Sequence, residues 1–115
     1  MNKGKAGYNM LMILSAVDNE FQKEEKEVIE RFVKKMWNSD YDEKALSDSV
    51  QELSSEEWMP RFRECQDYFY AEASEKERNE FLKFAVDLVK ADDVITEEEN
   101  EFLKSLFDAW DPDHQ

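Results

Sequence analysis

Cysteine is nearly absent from this chain. Cys65 stands alone in 115 residues, so no disulfide can close within it, and a reducing, cytoplasmic setting is expected. Histidine is equally scarce: His114 lies one residue from the end, in "DPDHQ". A Cys–His pair or a Ser–His–Asp triad therefore has almost nothing to be built from, and no catalytic residues are expected. Only two glycines and two prolines interrupt the chain, and no stretch alternates apolar and polar residues with period two. Helices are favoured and no sheet is expected. Cations are outnumbered, 15 against 29 acids, for a net charge of −14. Such a surface repels phosphate backbones and anionic bilayers, which argues against nucleic acid and membrane insertion and favours a protein partner with a basic surface. The charge also keeps a small helical protein soluble, whatever else it does.

What is present suffices for one core. Apolar residues make up 41% and aromatics 13%, enough for a compact fold in one domain over 1–115. The apolar positions recur at helical spacing. Tyr8, Leu11, Met12, Ser15 and Val17 form a first stripe. Its basic and apolar start, "MNKGKAGYNMLMILSAV", superficially resembles a secretory signal, but the run is too short to span a bilayer, and it is assigned to the first helix of the fold. Val28, Ile29, Phe32, Val33 and Met36 make a second stripe. Ala45, Leu46, Val50 and Leu53 mark a short third helix. Trp58, Phe62, Cys65 and Phe69 mark a fourth, with Cys65 read as a small core residue and Pro60 close enough to the helix start to be tolerated or to bend it. Phe81, Phe84, Ala85, Leu88 and Val89 form the fifth, and Phe102, Leu103, Leu106, Phe107 and Trp110 the last. Ser54/Glu57, Ser74/Glu77 and Thr96/Glu99 have capping-box spacing. Short connections imply that consecutive helices pack as neighbours. Residues 111–115 are expected to fray.

A repeat organises these stripes. With an offset of 74, "AVDNEFQKEEKEVIERFV" falls on "KADDVITEEENEFLKSLF". Asp18 meets Asp92, Phe21 meets Ile95, Glu25 meets Glu99, and the apolar stripe 28, 29, 32 and 33 meets 102, 103, 106 and 107. Each copy is a helical hairpin, 8–37 and 81–110, bent at an acidic turn. Phe21 and Ile95 can staple under the following helix. Asn19 and Asp93 suit a left-handed turn residue. First-turn glutamates favour the helix macrodipole by about 0.3–1 kcal/mol each. The same carboxylates could hold Ca²⁺ or Mg²⁺ through Asp18, Glu25, Asp92 and Glu99. Their spacing matches positions five to twelve of an EF-hand loop. Positions one and three would be Leu14 and Ala16, or Leu88 and Lys90, which offer no side-chain oxygen, so a true EF-hand is not expected. Capping and metal ligation both remain open at these residues.

The repeated turn resembles that of the TerB-like family of tellurite-resistance proteins, which includes the TerB domain of DnaJ-like co-chaperones. The family's turn reads Ala-x-Asp-Gly-x-Ile-x-x-x-Glu, and "AVDNEFQKEE" and "KADDVITEEE" are similar to it, with Asn19 and Asp93 in place of the glycine. The resemblance runs from about Lys5 to Trp110. It implies an all-α bundle of around seven helices, against six read from the stripes. It also implies a stress-response or signalling module without enzyme activity, and metal-binding acids at Asp18, Glu25, Asp92 and Glu99. The functional expectation is thus a non-catalytic, acidic interaction module, with Trp37, Tyr41, Trp58, Tyr68 and Tyr70 as candidate contact residues. A divalent-cation binder or sensor built on the two turns is the alternative.

Overall fold

The computed structural model describes residues 2–17, 23–37, 43–90 and 96–110. Among them are six helices and no strand: α1 Lys3–Val17, α2 Lys23–Trp37, α3 Glu43–Gln51, α4 Ser55–Glu72, α5 Glu75–Lys90 and α6 Glu97–Trp110. The radius of gyration is 13.0 Å, close to the value of about 13 Å that one compact domain of this length gives. The all-α, single-domain bundle with two helical hairpins is as the sequence implies.

Helix α1 is the centre of the molecule rather than an amphipathic outer helix. Tyr8, Met10, Leu11, Met12 and Ile13 are fully buried and Leu14 is nearly so, which covers every side of the helix. A helix apolar all round must be enclosed, and α2, α3, α4, α5 and α6 all pack on it. At about 1.5–3 kcal/mol for each large apolar side chain buried, this one helix anchors most of the core. Its N-terminus is closed by Asn2, whose Oδ1 accepts the Lys5 N–H at 2.9 Å.

That arrangement corrects the expectation of sequential packing. Only α1–α2 and α5–α6 are both consecutive and closely packed; α2–α3, α3–α4 and α4–α5 come together along little of their length. Phe69 of α4 then ties the outer helices together, with ring centroids 5.3 Å from Trp37, 5.0 Å from Phe81 and 5.1 Å from Trp110.

The six apolar stripes hold with two corrections. Val28 is 40% exposed, although its repeat partner Phe102 is buried. Ala45 is exposed, and Ser47 takes the buried place on α3, where its Oγ accepts Gln51 Nε2 at 2.8 Å. Pro60 is the sixth residue of α4, and the helix runs through it. Phe21, Ile95, Asn19, Asp93 and the tail 111–115 lie outside the described residues.

Two pairs of positions that are equivalent under the 74-residue repeat meet in the structure. Lys3 and Glu77 are equivalent positions, and they form an ion pair at 3.0 Å. Gly7 and Phe81 are also equivalent, and a Cβ on Gly7 would stand 3.3 Å from Phe81 Cε2 and from Trp37 Cζ3. Helices α1 and α5 meet at these equivalent positions, and Gly7 lets them approach there.

Candidate functional site

Glu25 and Glu99, one from each acidic turn, are engaged by the fold. Glu99 follows Thr96, which caps α6. The Thr96 N–H and Oγ1 each donate to Glu99 Oε1 at 3.1 Å, and the Glu99 N–H donates to Thr96 Oγ1 at 3.1 Å. This reciprocal pair satisfies two otherwise orphaned N–H groups and leaves Glu99 only 3% exposed. Glu25, its counterpart in α2, accepts a hydrogen bond from Ser15 Oγ. Ser15 is buried on α1, so this contact pins the start of α2 to the end of α1. Asp18 and Asp92 lie outside the described residues. Among the described residues, no three His, Cys, Asp or Glu side chains gather closely enough to hold a metal ion.

The other two boxes form as well. The Ser54 N–H and Oγ donate to Glu57 Oε1 at 3.1 and 2.9 Å. The Ser74 N–H donates to Glu77 Oε1 at 2.9 Å, and the Glu77 N–H donates to Ser74 Oγ at 3.2 Å. The backbone N–H of Ser54, then its hydroxyl, holds the Glu57 carboxyl below its ordinary range.

Glu77 does more than cap. Lys3 Nζ donates to both its oxygens, at 3.1 and 3.0 Å, and Trp37 Nε1 donates to Oε2 at 2.6 Å. One carboxylate thereby joins the starts of α1 and α5 to the end of α2. Burial alone would raise its pKa; the Ser74 N–H, Lys3 and Trp37 outweigh that and hold it at about 2. The Ser74/Glu77 spacing signals the cap but not the node, because Lys3 and Trp37 are 74 and 40 residues away in the chain.

The candidate contact aromatics divide. Trp37 is half-buried and committed to Glu77 and Phe69. Trp58 packs partly against the core, with its Nε1 shielded and without a partner among the described residues. Tyr68 is also half-buried on the core. Tyr70 is 43% exposed and carries the Arg78 guanidinium 4.5 Å above its ring, while Arg78 Nη1 donates to the Ala73 carbonyl at 2.8 Å. Tyr41 and His114 lie outside the described residues. Cys65 is fully buried, and desolvation pushes its thiol up to about 12, which removes it as a nucleophile.

The chemistry left to solvent is charge. The exposed residues of α4 and α6, two helices that pack together, include Glu56, Glu57, Glu64, Asp67 and Glu72 on one, and Glu97, Glu98, Glu101 and Asp108 on the other. Arg63 and Lys104 are the exposed cations of the pair. No described helix is long and apolar enough to cross a membrane.

Comparison with known proteins adds one match. A family model described as "Tellurite resistance protein TerB" aligns with residues 6–114. No curated protein and no solved structure matches the chain.

Proposed function

The chain belongs to the TerB family of tellurite resistance proteins, and on that premise we propose that it is a non-catalytic acidic module that works by protein contact in tellurite resistance or a related stress response. The observation that carries this reading is the acidic face of α4 and α6, where nine exposed carboxylates stand against Arg63 and Lys104. A partner with a basic surface is drawn to such a face, and the contact weakens as salt screens it. The inert Cys65 and the internally engaged Glu25, Glu77 and Glu99 leave the exterior as the working part.

The test is capture of partners from the source lysate on immobilised protein, at low and at moderate salt. Retention at low salt, reduced at moderate salt and reduced again when Glu97, Glu98 and Glu101 become Gln, supports the reading. No partner at either salt counts against it.

One observation favours a second reading, a divalent-cation site at the turns. Glu99 is a carboxylate almost wholly withdrawn from water at the foot of the second turn, where a cation would also be bound. A ligand of the native state must raise the melting temperature, so titration with Ca²⁺ and Mg²⁺ separates the two readings.

A further inference from the structure

We propose that the channel between α2 and α5 is a docking groove for an acidic amphipathic helix of another protein. Under the 74-residue repeat, α2 corresponds to α6 and α5 to α1. Helix α4 lies between α1 and α6. Its Phe62 ring packs edge-on to Phe102 at 5.0 Å, Gln66 Oε1 accepts Ser105 Oγ at 3.1 Å, and Arg61 Nη1 donates to Asn9 Oδ1 at 3.3 Å. By the same correspondence, the place of α4 between α1 and α6 maps onto one between α5 and α2. No described helix packs there, since α3 lies against α1 and not along α2 or α5.

Exposure agrees with that vacancy. Phe102 is 7% exposed beneath α4, whereas its counterpart Val28 is 40% exposed. Phe32 and Phe84 stack across the channel at 4.0 Å and stay half-buried, as does Leu88. A shallow depression of about 440 Å³ runs along α5, lined by Glu75, Lys76, Asn79, Glu80 and Lys83. Lys83 there is the counterpart of Asn9, the residue that receives Arg61 of α4.

Charge fixes the chemistry of the occupant. At the positions of Ser105 and Asn9, the vacant groove presents Arg31 and Lys83, both exposed. Helices α2 and α5 carry nine Lys and Arg against eight Asp and Glu, while the remaining chain carries six against twenty-one. Glu75 and Glu80 share the depression with Lys76 and Lys83, so recognition depends on two placed cations, Arg31 and Lys83, rather than on a uniformly basic wall. A fitting helix bears a bulky apolar residue over Val28, a carboxylate one residue before it and another four residues after it. Helix-in-groove binding reads such spaced anchors. This surface is separate from the acidic α4–α6 face, so either proposal can fail without the other.

The probe is a labelled, helix-constrained peptide of the α4 sequence 55–72 with Arg61→Glu and Gln66→Glu, titrated with the full chain by fluorescence anisotropy. Saturable binding is expected, weakened at least tenfold by the double variant Arg31→Glu/Lys83→Glu, consistent with the loss of two charge pairs. That variant should keep its circular dichroism and gain affinity for the unsubstituted α4 peptide, whose Arg61 now meets Glu. Amide shift changes should centre on Val28, Arg31, Lys83 and Phe84. Absence of saturable binding, indifference to the charge reversal, or shifts centred on Asn9 and Ser105 through displacement of α4 would each overturn the proposal. So would a Val28-dependent dimer in sedimentation, which would assign the groove to a second copy of the chain.

Discussion

Replacing Glu77 with Gln should destabilise the fold far more than a partly exposed helix-start residue ordinarily does. Its carboxylate receives the Ser74 N–H, both arms of the Lys3 contact and Trp37 Nε1. Glutamine keeps the shape but loses the charge, and its amide nitrogen only donates, so a single oxygen is left to accept from Ser74, Lys3 and Trp37. The depression of the carboxyl from 4.5 to about 2 corresponds to about 3 kcal/mol at 1.36 kcal/mol per unit. The Lys3 and Glu77 side chains retain 33% and 22% of their exposure, so solvent screening lowers the expected loss to about 2 kcal/mol. For a chain of this size that is a fall in Tm of about 6–10 °C. The sign of the pH dependence follows from the depressed pKa. The stabilisation is complete above about 4.5 and disappears as pH falls towards about 2. Urea unfolding followed by circular dichroism, on wild type and Glu77→Gln across that range, should show a gap at neutral pH that closes in acid. A gap below about 0.5 kcal/mol at pH 7, or one independent of pH, would refute the assignment of Glu77 as the node joining α1, α2 and α5.

Three further outcomes are expected. Gly7→Ala gains about 1 kcal/mol of helix propensity but forces a Cβ to within 3.3 Å of the packed Phe81 and Trp37 rings, so it should lower the urea midpoint; a higher midpoint would mean those rings can yield. Cys65 should resist thiol reagents in the native protein and react once denatured, whereas native labelling would contradict its burial. Phe102→Ala should cost about 3–4 kcal/mol in the same unfolding assay, while the repeat-equivalent Val28→Ala costs well under half of that, and equal losses would contradict the difference in their covering.

The helices were legible because their signals are local. Three boxes at three-residue spacing and six apolar stripes place every described helix to within a few residues. Residues whose environment is set by distant partners were not. Val28 continues the stripe of Ile29 and Phe32, and nothing near it in sequence says that no helix covers it. The stripe of α1 reads as one-sided, yet five helices enclose it, and the signal for that is the unbroken apolar run from Met10 to Leu14, which covers every side of a helix. Of the candidate site, Glu25 and Glu99 were found by the repeat, while the hydroxyl partner Ser15 was read only as part of an apolar stripe. The Glu77 node depends on contacts across 74 and 40 residues, which no motif records.

Glu25 and Glu99 at the two turns are held by Ser15 and Thr96, and the proposed role falls instead to the acidic exterior. Thermal melting in the presence and absence of millimolar Ca²⁺ or Mg²⁺, at constant ionic strength, tests this most directly. An unchanged Tm is predicted for the wild type. A saturable rise in Tm that Glu25→Gln or Glu99→Gln abolishes would instead make those carboxylates ligands, and the turns a cation site.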